Sequence, residues 1–285
     1  FVIAYTTLTK DRGPTAYAEA RFARLYSVVI PALIFTFALD GLGSWLMPHA
    51  YVGWWYNGED RPGQLMRALT FTTQIWIDNT RVGSNGPFWS VAYEAFYYAG
   101  FGVAVFCRTR VLLLSLMALL VGPRVLLLAP CWLLGVGLQQ LIARGHAASP
   151  SRTIAWILTL APWSLYAGAL GLDVPARLTQ ITYELLGEAI TPNALFGFSD
   201  EFIWNFLIAL LMALHFMGVY SLARNADWIG PRMEKAIRWS AGATFSLYLF
   251  HYPILTFLHG LPAYDSANPL HTWLMAVTTL VACFA

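Results

Sequence analysis

A carboxylate inside an apolar stretch is the feature of this sequence best suited to carry chemistry. Glu94 lies in the middle of "NGPFWSVAYEAFYYAG", residues 85–100. Placing a charged carboxylate in hydrocarbon costs roughly 2.5–3.5 kcal/mol on insertion scales. Ser90 lies four residues before Glu94 and Tyr98 four residues after it, so a helix would carry all three on one face. We therefore expect Glu94 to face a polar cavity, with Ser90 and Tyr98 satisfying its oxygens.

A second polar pair lies near the end of the chain, in "TFSLYLFHYPIL". Tyr248 and His251 are three residues apart and share one face of a helix. Pro253 follows them, and a proline inside a helix has no N–H to donate, which frees the carbonyl of Leu249. We expect Tyr248 and His251 to shape the same cavity as Glu94.

Two further polar residues lie within apolar runs, at Asp40 and His215. Asp40 comes late in its run, where it would be hydrated at the membrane boundary or would take part in the site. A lone histidine such as His215 is more often a hydrogen-bond partner between helices than a reactive group, and we interpret it so.

The composition indicates a polytopic membrane protein. Of the 285 residues 58% are hydrophobic and only 11% are charged, against about 25% charged in an ordinary soluble domain. The net charge of +2 does not indicate a nucleic-acid partner. Three cysteines without a CxxC pair or a Cys/His cluster predict neither a disulfide framework nor a metal site.

Apolar runs predict an all-α bundle that forms one integral-membrane domain over residues 1–285. Runs long enough to cross a membrane cover residues 25–47, 88–107, 125–142, 153–172, 202–223 and 241–258. A shorter run covers 111–121, and incomplete runs lie at both ends, so we expect about eight to nine transmembrane helices. Residues 66–77 are too short and polar to span and predict an interfacial or re-entrant piece. Because Phe1 is not an initiator methionine, we expect a chain truncated at both ends.

The distribution of basic residues predicts which loops face the cytoplasm, since Lys and Arg concentrate in short cytoplasmic loops. Residues 1–24, 108–110, 143–152 and 224–240 hold most of them. The loops 48–87 and 173–201 would then face outside. The residues in the basic set are Lys10, Arg12, Arg21, Arg24, Arg108, Arg110, Arg144, Arg152, Arg224, Arg232, Lys235 and Arg238.

Physical reasoning alone leaves two classes of function open. Intramembrane carboxylates and histidines mark either a reaction site or a pathway for protons and polar solutes. The chain is therefore an enzyme, or a proton-coupled transporter of a polar solute that uses Glu94 and His251. Paired halves with matching broken helices, typical of inverted-repeat transporters, are not evident in the hydropathy.

Three stretches, in order, resemble the membrane-bound acyltransferase family 3. The first is "FVIAYTTLTK" followed by "RFARLYSVVIP", similar to an apolar segment and an Arg-x-x-Arg motif at Arg21 and Arg24. The second stretch matches at Asn85, Trp89, Ser90, Glu94 and Tyr98, and the third at Ser246, Tyr248, Leu249, His251 and Pro253. A fourth and weaker likeness is "CWLLGVGLQQL". Ser27 and Val91 depart from the family pattern.

The resemblance implies an O-acyltransferase of a bacterial plasma (inner) membrane. Such an enzyme moves an acyl group, expected to be acetyl, from cytoplasmic acyl-CoA to a hydroxyl of a carbohydrate or glycan-like acceptor. The implied partners are acyl-CoA, the glycan and membrane lipid, with no nucleic acid, no bound cofactor and no metal.

The resemblance also implies roles for individual residues. Glu94 and His251 would support catalysis. The family's reactive histidine would lie upstream of Phe1, so no residue here takes that role, and the fragment alone is expected to be inactive. Arg21 and Arg24 would bind the donor's phosphates by planar, charge-assisted hydrogen bonds, unless they only anchor the topology. The remaining expected substrate-binding residues are Asn85, Trp89, Ser90, Tyr98 and Tyr248.

Overall fold

The computed structural model describes residues 1–11, 13–53, 56, 58–145, 151–186, 195–224, 230–262, 264–265 and 267–284. Within these ranges the chain forms α-helices joined by turns, loops and 3-10 segments, and no β-strand occurs there apart from one isolated bridge. The all-α prediction is thus confirmed for this part of the chain. Arg12 and residues 146–150, 187–194 and 225–229 of the predicted loops 143–152, 173–201 and 224–240 lie outside the described residues.

Five of the helices are long and apolar enough to cross a membrane, so the chain is a helical membrane protein. We label all described α-helices in chain order. The five are α2 (Pro14–Leu46), α6 (Pro123–Ala143), α7 (Arg152–Gly171), α9 (Phe202–Ala223) and α10 (Pro231–His259). The others are α1 (Val2–Thr9), α3 (Arg61–Leu69), α4 (Trp89–Phe106), α5 (Arg110–Val121), α8 (Val174–Leu186) and α11 (Pro269–Phe284).

The expected number of eight to nine spans is not reached in the described ranges, for two physical reasons. The helices α5 and α11 are apolar but shorter than a full crossing. The run 88–107 does form a helix, α4, but α4 is not among the five spanning candidates. Glu94 and the aromatic residues with polar edges that surround it lower the hydropathy of α4.

Two helices extend well beyond the apolar runs that predicted them. The run 25–47 belongs to α2, which begins at Pro14, because a helix can continue beyond its apolar part into charged sequence. The same holds for the run 241–258, whose helix α10 begins at Pro231. The loop predicted over 173–201 contains a helix, α8. Polar residues interrupt its apolar ones throughout, so it contains no continuous apolar run that would have predicted it.

The chain divides into two compact units, and neither is a continuous stretch of sequence. The first unit comprises Phe1–Ala18, Ile75–Ile77 and Phe96–Ile229. In it α9 packs against α7 and α6, and α1 packs against α6. The second unit comprises Glu19–Gln74, Asp78–Ala95 and Gly230–Ala285, and in it α10 packs against α11 and against the turn before α4. That the 285 residues form one domain stays a prediction.

Candidate functional site

The turn that leads into α4, residues 82–88, is the centre of the candidate site. It holds a bridge between Val82 and Asn85 and a single 3-10 turn, Gly86–Phe88. Gly83 has φ +52°, and a Cβ there would collide with the carboxylate of Asp40. Only glycine meets both conditions without strain, so the turn is built to approach α2 closely.

Asp40 on α2 holds this turn through two hydrogen bonds. The backbone N–H of Ser84 donates to Oδ2 at 2.8 Å, and the Ser84 hydroxyl donates to Oδ1 at 2.5 Å. Gln64 on α3 accepts from the N–H of Gly83 at 2.8 Å. The alternative that Asp40 is hydrated at the membrane boundary is wrong, because only 1% of the residue is exposed. Beyond the end of α2, burial and then the charge of Asp40 raise the pKa of the Tyr51 hydroxyl.

Asn85 joins the turn to two helices. Its Nδ2 donates to Oγ1 of Thr36 on α2 at 3.1 Å and to the carbonyl of Leu249 on α10 at 2.9 Å. Leu249 is the residue whose carbonyl Pro253 leaves without a helical donor. The structure supplies that donor from a residue 164 positions earlier in the chain. Asn85 is 1% exposed, so its described contacts are structural, and a contact with substrate stays a prediction.

Ser90 and Tyr248 meet beside this junction. Their hydroxyl oxygens are 2.8 Å apart, and each also lies within reach of the Pro87 carbonyl, at 3.2 Å and 3.0 Å. Each hydroxyl has one hydrogen, so one donates to the carbonyl while the other donates to its neighbour. The contact brings together residues from the second and third motif stretches.

Glu94 lies one turn after Ser90 on α4 and is half-buried. Its carboxylate is close enough to Tyr248 to act on it electrostatically. That Ser90 and Tyr98 satisfy its oxygens stays a prediction. Tyr98, in the first unit, is 3% exposed, and its carbonyl accepts from the Tyr17 hydroxyl at 2.7 Å.

His251 and Tyr248 line one groove, but Glu94 is not among its described lining residues, so a cavity shared with Glu94 stays a prediction. The groove lies between α10 and α11, encloses about 450 Å³ and is largely apolar. His251 Nδ1 lies 3.0 Å from the Leu247 carbonyl. A carbonyl only accepts, so this bond requires the hydrogen on Nδ1 and leaves a lone pair on Nε2 of the neutral ring. We name this feature, with Tyr248 and His251 in its wall, the His251 groove.

Of the other expected binding residues, the two arginines are placed apart from this junction, whereas Trp89 directly follows the turn. Arg21 is buried and Arg24 is exposed, although both lie on α2. Fifteen residues of helix separate Arg21 from Thr36, which corresponds to about 22 Å along the axis. Trp89 packs edge-on against Tyr93, with ring centroids 5.1 Å apart.

Sequence reasoning missed Thr36 and Ser84. Thr36 lies four residues before Asp40 and shares its helix face, a spacing that could have marked a polar stripe on α2. Ser84 stands in "GSNG", whose turn-forming residues predict a tight loop but not its partner.

His215 lies in the first unit and takes the helix–helix role predicted for it. Its Nδ1 is 2.8 Å from the carbonyl of Thr159 and 3.2 Å from the indole Nε1 of Trp163, both on α7. A ring nitrogen either donates or accepts, so it makes one of these bonds at a time.

No family model, curated protein or solved structure matches the chain. The likeness to acyltransferases therefore rests on the motif residues themselves. Among the described residues no group of three or more His, Cys, Asp or Glu side chains is placed to hold a metal ion.

Proposed function

We propose that this protein is a membrane O-acyltransferase of a bacterial inner membrane. It would transfer an acyl group, expected to be acetyl, from cytoplasmic acyl-CoA to a hydroxyl of a carbohydrate or glycan acceptor. In the reaction the acceptor oxygen bonds to the acyl carbon, the carbon–sulfur bond breaks, and the hydroxyl proton passes through a base to the departing sulfur, so that CoA leaves as the thiol.

One observation carries this proposal: the second and third motif stretches are joined by direct hydrogen bonds. Asn85 donates to the Leu249 carbonyl, and Ser90 is bonded to Tyr248. If the motif matches were accidental, nothing would require residues about 160 positions apart to be partners. The contacts support the interpretation that these residues form one site.

Glu94 supplies a carboxyl group to this site. Its carboxylate acts on the Tyr248 hydroxyl, which lines the His251 groove. A fixed charge here would orient the phenol and, through it, the group that occupies the groove. Electrostatic orientation of this kind is commonly a large contribution to catalysis.

The donor arginines lie near the opposite end of α2 from Asp40 and Thr36. Acyl-CoA carries its phosphates at one end and its thioester at the end of a long flexible arm. Exposed Arg24 is available to bind the phosphates, while buried Arg21 supports that end of α2. The separation of about 22 Å between Arg21 and Thr36 matches a ligand whose charged and reactive ends lie far apart.

The test replaces Glu94 in the complete, full-length protein, reconstituted in lipid nanodiscs with acetyl-CoA and a carbohydrate acceptor. Glu94→Gln keeps the shape and hydrogen-bonding capacity but cannot ionise. We expect a folded protein whose acyl transfer falls about a hundredfold or more. Glu201→Gln, at an exposed glutamate of the first unit, is the matched control and should transfer at the normal rate.

Full transfer activity of Glu94→Gln at normal expression would contradict the charged role. Glu94→Ala adds a second comparison, because a purely structural glutamate would give an active Gln variant and a poorly folded Ala variant. A protein that binds no acyl-CoA but moves protons with a polar solute would instead be the transporter considered above.

The donor site has its own test, which uses the different burial of the two arginines. Arg24→Ala should weaken acetyl-CoA binding without loss of fold, and Arg24→Lys should restore it only in part, because lysine lacks the planar fork. Arg21→Ala should lower stability as well. Unchanged donor affinity in Arg24→Ala would make this residue a topology anchor.

A further inference from the structure

A second cavity lies in the same unit, next to the His251 groove along α10, and Leu255 lines both. It encloses about 550 Å³, within the range of about 300–1,000 Å³ typical of ligand pockets. We name it the terminal cavity. Its polar lining residues are His49, Tyr252, Thr256 and His259.

The wall of the terminal cavity is formed by one face of α10 and by the turn that follows α2. Tyr252, Thr256 and His259 follow each other at helical spacing on one face of α10. His49 belongs to the 3-10 turn Pro48–Ala50 that follows α2.

Two glycines hold these parts in close contact. A Cβ on Gly260 would lie 2.8 Å from the Ala50 side chain, and a Cβ on Gly86 would lie 3.4 Å from the Tyr252 ring. The cavity therefore adjoins the turn that carries Asn85.

The two cavities are separated by very little protein. His251 and Tyr252 are consecutive on α10 and line different cavities, whereas Leu255 lines both. The His251 groove is largely apolar, but the terminal cavity offers two imidazoles, a phenol and a hydroxyl. Two adjacent sites of different polarity suit a reaction with two unlike substrates.

The lining of the terminal cavity favours a class of ligand. None of its described lining residues is Lys, Arg, Asp or Glu, so the lining itself holds no charged partner for a strongly charged ligand; Arg81 interacts electrostatically with Tyr252 but is not among the lining residues. Imidazole, phenol and hydroxyl groups both donate and accept, as the hydroxyls of a sugar do. The Tyr252 ring, 39% exposed, gives an apolar face against which the C–H face of a sugar can pack.

We propose that the terminal cavity binds the neutral carbohydrate acceptor, with Tyr252 as its platform and Thr256, His259 and His49 as hydrogen-bond partners. This inference rests on the proposed function and specifies where the acceptor lies. The acyl group would occupy the His251 groove, and transfer would take place where Leu255 separates the two.

The experiment measures sugar binding directly, without turnover. The full chain in nanodiscs is titrated with tetrasaccharides of glucose, galactose and N-acetylglucosamine, and with a tetrasaccharide of galacturonic acid, by saturation-transfer NMR. We expect at least one neutral tetrasaccharide to bind. Tyr252→Leu and His259→Ala should each weaken its binding about tenfold, equivalent to about 1.4 kcal/mol.

Matched controls separate the site from general effects. Tyr220→Leu changes a tyrosine of equal exposure, 38%, on α9, and Thr278→Val changes an exposed hydroxyl of α11 that is not among the lining residues. Both should bind the sugar as the natural protein does. His259 is exposed at the end of α10, so its replacement tests the site even if Tyr252→Leu fails to fold.

The outcomes distinguish this inference from the proposed function, because acetyl-CoA binding is measured on the same samples. Donor binding with no neutral sugar bound, with only the galacturonic acid chain bound, or with sugar binding unchanged in both variants would overturn the cavity assignment and leave the acyltransferase proposal standing. Sugar binding that depends on both residues, without any donor binding, would support the cavity and contradict the acyltransferase.

Discussion

The bond between Asn85 and Leu249 gives a quantitative prediction. Pro253 removes the N–H that would otherwise satisfy the Leu249 carbonyl, and Asn85 Nδ2 replaces it at 2.9 Å. Asn85→Ala therefore leaves a buried carbonyl without a donor. If Pro253 is also replaced by alanine, residue 253 regains an N–H, and the carbonyl can close an ordinary helical bond.

The expected magnitude follows from the two states of that carbonyl. Hydrogen bonds between membrane helices average about 0.6 kcal/mol and reach about 1.7, because broken partners usually find others. Pro253 lacks the N–H that usually donates to this carbonyl, so we expect the upper end. Asn85→Ala should thus cost about 1.5 kcal/mol less in the Pro253→Ala background than in the natural one. Loss of the second Asn85 bond, to Thr36, should cost the same in both backgrounds. In each of them the threonine hydroxyl can turn to a carbonyl of its own helix.

The assay is a double-mutant cycle on the free energy of unfolding. Reversible unfolding in mixed micelles with increasing dodecyl sulfate, followed by far-ultraviolet circular dichroism, gives the four free energies. Pro130→Ala is the matched control, because Pro130 also lies inside a helix but belongs to the first unit. Its effect should add to that of Asn85→Ala within about 0.5 kcal/mol. If the effects of Pro253→Ala and Asn85→Ala also added within about 0.5 kcal/mol, the reasoning would be refuted.

Two further predictions concern helix packing and topology. A Cβ on Gly218 of α9 would lie 2.6 Å from the Thr159 backbone nitrogen, whereas one on Gly168 would have no neighbour within 4 Å. In thermal unfolding Gly218→Ala should therefore destabilise by about 1–3 kcal/mol, and Gly168→Ala should be neutral or stabilising by up to about 1 kcal/mol; equal effects would contradict this packing. In a cysteine-free background, Ala236→Cys should react with an impermeant thiol reagent only from the cytoplasmic side, because it lies among basic residues. Glu184→Cys should react only from outside, and labelling of both from one side would contradict the assigned topology.

The sequence predicted best those helices that form from one uninterrupted apolar segment. The run 202–223 and the helix α9 coincide, because an uninterrupted apolar segment has few alternatives to a membrane helix. The start of α2 at Pro14 was missed, since residues such as Glu19 and Arg24 are compatible with a helix in water as well as with a loop. Helix α8 was missed for the same reason.

The candidate site shows the same division between local and distant information. That Pro253 would free the Leu249 carbonyl followed from the chemistry of proline. That Asn85 would occupy it did not, because no local pattern relates positions 164 residues apart. Thr36 could have been found only through its spacing from Asp40, and Ser84 gave no signal of its own, since a serine in a turn is common.

The discontinuity of the second unit has a consequence for biogenesis. Two of its segments lie within the first 95 residues and the third begins only at Gly230. At about 5–20 residues per second, synthesis from Asn85 to Leu249 takes roughly 10–30 s. During that time α2 and the turn before α4 are already made, while the carbonyl that completes their junction does not yet exist. The nascent chain must keep these polar groups in contact with water, the insertion machinery or a chaperone until α10 arrives. A ribosome that stalls before α10 would therefore release a product with an open polar junction, marked for degradation.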